Sequence, residues 1–95
     1  MSTFIMFGKY SHDSVREISK DRTRHVVEMI QETGGEIRAI YAVLGAYDLV
    51  MIVNYPTMEE VLRISVLISQ TFGISFSTLP AIAVEEFDEL IAKPS

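Results

Sequence analysis

The sequence GAYD at residues 45–48 separates two apolar runs, IRAIYAVL and LVMIVNY. Gly45 can adopt a positive φ without a Cβ clash, so this segment suits a tight turn. Both runs carry apolar side chains on both faces under the two-residue period of extended chain. The sequence therefore predicts an antiparallel hairpin, with one strand at residues 36–44 and the next at residues 48–55.

The other elements lie on both sides of this hairpin. Strands are predicted at residues 3–10 and 74–84, helices at 20–33 and 85–92, and a third helix from the capping pair Thr57 and Glu60 to Phe72. Residues 11–19 form a polar loop with one helical turn, in which Ser14 and Glu17 have capping-box spacing. Gly34, Gly35 and Gly73 end the two longer helices. Pro80 cannot donate to a strand ladder, so the last strand is expected at an edge of the sheet or with a break.

This order of elements predicts an α+β fold. Strand, helix, strand, strand, helix, strand is the ferredoxin-like βαββαβ arrangement, in which two helices cover one face of a four-stranded antiparallel sheet. With 95 residues, of which 48% are hydrophobic, the chain is expected to form a single domain over residues 1–95.

The second face of this sheet also needs a cover. We assign to it six large apolar residues: Ile5, Phe7, Ile40, Leu44, Val50 and Ile52. At roughly 1.5 to 3 kcal/mol each, their burial is worth about 9 to 18 kcal/mol as an upper bound. Two sheets packed face to face about a two-fold axis, a dimeric α/β barrel, would bury them. We expect a homodimer or a higher oligomer.

The helix that ends at Phe72 predicts a further contact. Its apolar residues lie on all sides of the helix instead of forming one stripe. The residues predicted to face solvent are mainly Arg63, Ser65, Ser69 and Gln70. We expect its outer side to be covered by the C-terminal segment or by another dimer.

The charge distribution and the absence of certain sequence features limit which partners and which cellular location we expect. The formal net charge is -5, with six basic and six acidic residues up to Tyr47 and two basic and seven acidic residues after it. Nucleic acid binding relies on clustered Lys and Arg, so we expect no nucleic-acid partner. There is no cysteine, no signal segment and no apolar stretch of membrane-spanning length. We therefore expect a cytoplasmic location and no contact with a membrane.

The residues of the hairpin also carry a resemblance. Gly45, Tyr47 and Asp48 form a Gly-x-Tyr-Asp pattern, and the segments TLPA at residues 78–81 and EEF at residues 85–87 follow in the same order and spacing as in GYD domain proteins. The chain resembles that family over nearly its whole length. The resemblance implies a small, stand-alone dimeric α/β barrel of ferredoxin-like fold, and no particular reaction.

Two more distant resemblances suggest activities. The Gly-x-x-Asp hairpin and the segment after it are similar to the effector-binding domain of feast/famine-type transcription regulators, which implies small-molecule sensing at subunit interfaces. The chain lacks their helix-turn-helix domain. Cofactor-independent quinol monooxygenases share the barrel, but a shared fold does not transfer their chemistry.

The motif residues have a structural and a functional interpretation. In the structural one, Gly45 forms the turn, Asp48 accepts hydrogen bonds from turn amides, and Tyr47 closes the barrel end or packs at the dimer interface. In the functional one, the Tyr47 hydroxyl and the Asp48 carboxylate lie at the mouth of a cavity and orient a small polar ligand. The structural interpretation is favoured.

Arg22 is a second candidate for ligand binding. Helical spacing places it in line with Val26 and Met29, on the side of its helix that faces the sheet. Its guanidinium either extends to the helix edge, pairs with a carboxylate such as Asp48, or receives an anionic ligand in the cleft between helix and sheet.

Three tyrosines are assigned to the same face as Phe4, Met6 and Met51: Tyr10, Tyr41 and Tyr55. Ordinary packing is the favoured interpretation, and the alternative is a pocket for a flat aromatic ligand, for which Tyr10 and Tyr41 are the candidates.

The histidines and carboxylates give little support for a metal. His25 is predicted on the outward face of its helix, His12 lies in a polar loop, and neither belongs to a recognisable ligand spacing. The acidic residues at positions 85–89 are interpreted as a solvated helix face. We expect no tightly bound metal and no cofactor.

Three functions are compatible with these residues. The favoured one is a small homo-oligomeric barrel protein that binds a small molecule at an interface or in a helix–sheet pocket. The second is a cofactor-independent oxygenase or isomerase for a small aromatic or carbonyl compound, with Arg22 stabilising negative charge and Tyr47 or Asp48 transferring protons. The third is a purely structural oligomer.

Overall fold

The computed structural model describes residues 1–94. In chain order, its elements are β1 (Ser2–Tyr10), α1 (His12–Arg16), α2 (Lys20–Glu32), β2 (Glu36–Ala42), β3 (Leu49–Tyr55), α3 (Met58–Phe72), β4 (Ile74–Ala81) and α4 (Val84–Ala92). The hairpin connection between β2 and β3 is longer than the four-residue turn predicted, because β2 ends at Ala42, two residues before its apolar run ends. Gly45 in this connection has a φ of 140°.

The four strands form one antiparallel sheet in the order β2-β3-β1-β4. This order, with α2 between β1 and β2 and α3 between β3 and β4 along the chain, confirms the predicted ferredoxin-like fold. Pro80 lies in β4, opposite Phe4, and β4 is an edge strand, as the missing N–H of proline requires.

The helix ends show which polar residues act as caps. The Ser19 side chain accepts from the Arg22 amide at the start of α2, and Thr57 accepts from the Glu60 amide at the start of α3. Gly73 ends α3 in the left-handed conformation, with a φ of 70°. The capping box predicted at Ser14 is wrong, because Ser11 caps α1 and accepts from the Ser14 amide.

The core lies between the sheet and the helices α2 and α3. Its members are buried apolar residues of both layers: Phe4, Met6, Met51, Val53, Tyr55 and Ile74 from the sheet, and Val26, Ile30, Val61, Ile64 and Ile68 from the helices. Alternation along each strand places the intervening residues on the opposite side of the sheet. We call that side the open face, because the core cluster of residues 1–94 lies on the other side of the sheet, against α2 and α3.

A β-bulge in β2 changes the predicted composition of the open face. The pairing of β2 with β3 shifts between Ile37 and Ala39, so that Arg38 is the extra residue. One extra residue reverses the side on which all later side chains lie. Ile40 therefore lies opposite Met51 on the helix side, and Tyr41 lies opposite Val50 on the open face. The predicted faces of Ile40 and Tyr41 were both wrong.

Leu44 does not belong to the open face either. It lies beyond the end of β2 and is 99% exposed. After these corrections, the large apolar residues of the open face are Ile5, Phe7, Tyr41, Val50, Ile52 and Leu79.

The outer side of α3 is only partly as predicted. Ser65, predicted to face water, is buried; its Oγ donates to the Val61 carbonyl and lies 2.9 Å from Thr78 Oγ1. Leu62 and Val66 are exposed, so the C-terminal segment does not cover them within the chain. The helix α4 itself has no buried residue, and a cover from another dimer stays a prediction.

Tyr55 makes the free energy of unfolding depend on pH in the alkaline range. Burial raises the pKa of the Tyr55 hydroxyl above its ordinary value of 10.0, the hydrogen bond with Thr33 lowers this pKa, and the Glu60 carboxylate raises it further. Above about pH 10 the unfolded chain releases the Tyr55 proton while the folded chain retains it. The free energy of unfolding should therefore fall as the pH rises.

The Tyr55→Phe variant tests this dependence. It keeps the ring and removes the titrating group, so its urea-unfolding free energy should fall less steeply between about pH 9 and pH 11 than that of the wild type. Equal slopes in the two proteins would show that other groups produce the alkaline destabilisation.

Candidate functional site

Asp48 holds the hairpin connection against β1. Its Oδ2 accepts a hydrogen bond from the Tyr10 amide at 2.9 Å and lies 3.6 Å from Lys9 Nζ. Its own amide donates to the Gly8 carbonyl at 2.8 Å, and its carbonyl accepts from Val43 at 2.9 Å. The predicted acceptor role is present, but the amide donor belongs to β1 and not to the turn.

Tyr47 lies over the open face of the sheet. Its ring centroid is 5.1 Å from that of Phe7, and its hydroxyl lies 3.5 Å from Ser77 Oγ. The side chain thus extends from the hairpin connection across β1 towards β4. A second subunit packed on the open face would contact it directly.

Arg22 lies on the helix side of the sheet, whereas Tyr47 lies on the open face. Its Nη1 donates to the Ser14 carbonyl and, at 3.0 Å, to Ser14 Oγ. The guanidinium carbon is 4.8 Å from the centroid of the Tyr10 ring, a cation–π distance. Of the three alternatives for Arg22, pairing with Asp48 is not observed, because the guanidinium bonds to Ser14 of α1 and Asp48 lies beside Lys9.

Arg22 and Tyr10 share a cavity of about 40 Å³. It lies between the start of α2 and the sheet, with these residues on its walls: Tyr10, Ile18, Arg22, Thr23, Val26, Ile40, Leu49, Met51 and Ile74. The space suffices for a few water molecules, not for a drug-sized ligand. The cavity lies in the cleft between helix and sheet, where an anionic ligand was one of the three alternatives for Arg22.

Four of the five ligand-binding candidates fall into two groups. Arg22 and Tyr10 lie together on the helix side, whereas Tyr41 and Tyr47 lie on the open face. Asp48 lies between them, at the end of the sheet. An enzyme that uses Arg22 together with Tyr47 around one substrate would need them on the same side of the sheet, and within one subunit they are not.

A larger cleft opens on the open face at the opposite end of the sheet. It has a volume of about 380 Å³ and is lined by residues of all four strands and of the segment before α4: Thr3, Arg38, Ile52, Ala81, Ile82 and Ala83. Arg38, the bulged residue of β2, is the charged residue among these six. No sequence pattern predicts this cleft, because nothing local marks the bulge.

Ser14 was also missed as a partner of Arg22. It is buried and bonds to a guanidinium eight positions later. Its spacing to Glu17 suggested a helix cap, so Ser14 was not considered as a hydrogen-bond partner of Arg22.

The histidines remain apart from both pockets. His25 is exposed beside Phe72, with ring centroids 6.4 Å apart, and His12 Nε2 lies 3.4 Å from Arg16 Nη2. Within residues 1–94, no group of three or more His, Asp or Glu side chains has the spacing of a metal site. None of the helices described is long and apolar enough to cross a membrane.

The order of elements and the sheet define the chain as an α+β protein of the ferredoxin-like class. Comparison with family models then gives the family: the GYD domain matches residues 4–91. The chain belongs to the GYD domain family, as the Gly-x-Tyr-Asp pattern of the hairpin predicted.

Among solved structures, the chain is similar to the leucine response regulatory protein LrpA of Mycobacterium tuberculosis, with a TM-score of 0.62 and 16% sequence identity. The match covers 86% of this chain and 51% of that chain, so this chain spans about half the length of LrpA. At this identity the likeness supports the fold alone. The comparison with curated proteins gave no match.

Proposed function

We propose that this chain is a self-associating barrel protein that binds a small molecule at the interface between its subunits. The open face of the sheet is the observation that carries the proposal. Tyr41 and Leu79 on this face are 59% and 52% exposed, and Ile5, Phe7, Val50 and Ile52 are only partly buried. An apolar surface of this kind on a sheet is typical of an interaction site.

A second copy of the chain is the proposed partner of the open face. Ile5 and Ile52 lie opposite each other on the two central strands, so the apolar surface is centred on the sheet. Two such faces can pack about a two-fold axis with the same residues on both sides. The Phe7 and Tyr47 rings would then lie within the interface.

The cleft beside Arg38 supports the small-molecule part of the proposal. Its volume of about 380 Å³ lies within the usual range for ligand sites, roughly 300 to 1,000 Å³. A second sheet packed on the open face would cover Ile52 and enclose the cleft. The name of LrpA describes a response to leucine, and a small-molecule response on a similar fold fits the proposal.

We place this assembly in the cytoplasm, because a chain without cysteine gains no stabilising disulfide from an oxidising compartment.

Native mass spectrometry of the purified protein tests both parts of the proposal. We expect a dimer or a multiple of a dimer, with extra mass that a denaturing run releases. A monomer at micromolar concentration would contradict self-association. An oligomer without extra mass would contradict the ligand and favour the purely structural alternative.

A charge on the open face should separate the subunits. The Ile5→Asp variant places a carboxylate at the centre of the proposed interface, where its desolvation is costly, and we expect a monomer in the same measurement. Val15→Asp adds the same charge at an exposed position of α1 and should leave the assembly unchanged. Circular dichroism checks that both variants are folded.

A further inference from the structure

Arg22 is a buried cation without a counter-ion. Only 7% of the residue is exposed, and its partners, the Ser14 carbonyl, the Ser14 hydroxyl and the Tyr10 ring, are all neutral. Among residues 1–94, no carboxylate lies within salt-bridge distance of Arg22. Buried charges in proteins are normally paired, so this site has an excess of positive charge.

The guanidinium also retains unused hydrogen-bond donors. Its Nη1 bonds to Ser14, whereas Nε and Nη2 have no hydrogen-bond acceptor among the described residues. Within that part of the chain, no buried side-chain nitrogen is both sealed from solvent and unpaired. The two free nitrogens therefore keep some surface accessible to solvent, and Arg22 lines the cavity.

The walls of this cavity limit what it can bind. Apart from Arg22, its lining residues are apolar or neutral, and none is acidic. A free volume of about 40 Å³ corresponds to roughly three water molecules. An anion with a short apolar part satisfies the charge, the donors and the walls together. A free amino acid does not, because its ammonium group would find no carboxylate in the lining.

We propose that the Arg22 cavity is a binding site for a small carboxylate of about the size of acetate or propionate. The carboxylate accepts hydrogen bonds from the free guanidinium nitrogens, and the alkyl end contacts Val26, Ile40 and Met51. Planar guanidinium groups match carboxylates geometrically. This site lies within one subunit and is separate from the cleft at the proposed interface, so the inference goes beyond the proposed function.

Titration with sodium propionate, followed by ¹H–¹⁵N NMR of the full chain, tests the site. Sodium chloride keeps the ionic strength constant, and propionamide serves as the neutral ligand of the same shape. We expect saturable shifts of the Arg22 Nε–H and Ser14 amide signals with propionate and none with propionamide. Shifts that do not saturate, or equal shifts with propionamide, would overturn the proposal.

Two variants at the mouth of the cavity provide a matched comparison. Ile18 lines the cavity and is 60% exposed, so its replacement leaves the core intact. Ile18→Asp should weaken propionate binding about tenfold relative to Ile18→Asn, because the added carboxylate repels the anion. Equal affinities in the two variants would contradict a site at Arg22. Arg22→Met should abolish binding, but it also removes the link between α1 and α2.

The oligomeric state is measured on the same samples by sedimentation velocity. Propionate binding to a monomer would support this inference and contradict the proposed self-association. An oligomer that shows no propionate binding would overturn this inference and leave the proposed assembly standing.

Discussion

Gly35→Ala is expected to destabilise the fold by about 3 kcal/mol or more, which is the upper range for overpacked cores. A Cβ at this position would lie 2.6 Å from Tyr55 Cε2 and 2.9 Å from Ile30 Cγ2. Both neighbours are fully buried, so neither can move aside cheaply. Thermal unfolding should show a Tm lower by more than about 10 °C.

Gly34→Ala is the matched control for this prediction. Gly34 has a φ of 88°, and no atom lies within 4 Å of a Cβ built on it. The substitution should cost only the backbone strain of a left-handed residue, roughly 1 to 2 kcal/mol. In a Tyr55→Leu background, the cost of Gly35→Ala should shrink because the ring is gone. An equal cost in both backgrounds would show that the Tyr55 ring is not the obstacle.

Ile64→Ala is expected to lower the free energy of unfolding by about 2 to 5 kcal/mol. Ile64 is 1% exposed and packs in the core between α3 and the sheet, so the substitution leaves a cavity as well as losing apolar burial. Urea unfolding should show a lower midpoint with an unchanged m-value.

Leu62→Ala is the comparison variant for Ile64→Ala, because Leu62 lies on the outer side of the same helix. Leu62 is 50% exposed, and surface substitutions usually change stability by less than about 0.5 kcal/mol. A small effect at Leu62 beside a large one at Ile64 would confirm that α3 is buried along one side only. A large, concentration-dependent effect at Leu62 would instead show that another subunit covers α3.

The predictions for the site were less complete than those for the fold. Arg22 was correctly assigned to the sheet-facing side of α2, because helical spacing depends only on nearby residues. Its partner Ser14 was not identified, since that contact depends on how α1 folds back towards α2. Tyr41 was assigned to the wrong face, because the bulge at Arg38 is decided by the pairing with β3 and leaves no mark in the sequence of β2.

The sequence alone determined the order of elements, the ends of the long helices and the family. These features follow from local causes, namely apolar periodicity, Ser and Thr caps, glycines beyond helix ends, and the hairpin motif. The tertiary structure decided which side of the sheet each residue of β2 occupies, and that Arg22 and Tyr47 lie on opposite sides of it. It also decided that Asp48 holds β1 instead of pairing with Arg22. The physical reason is that strand register and the packing of α1 depend on contacts between distant segments, which no local pattern encodes.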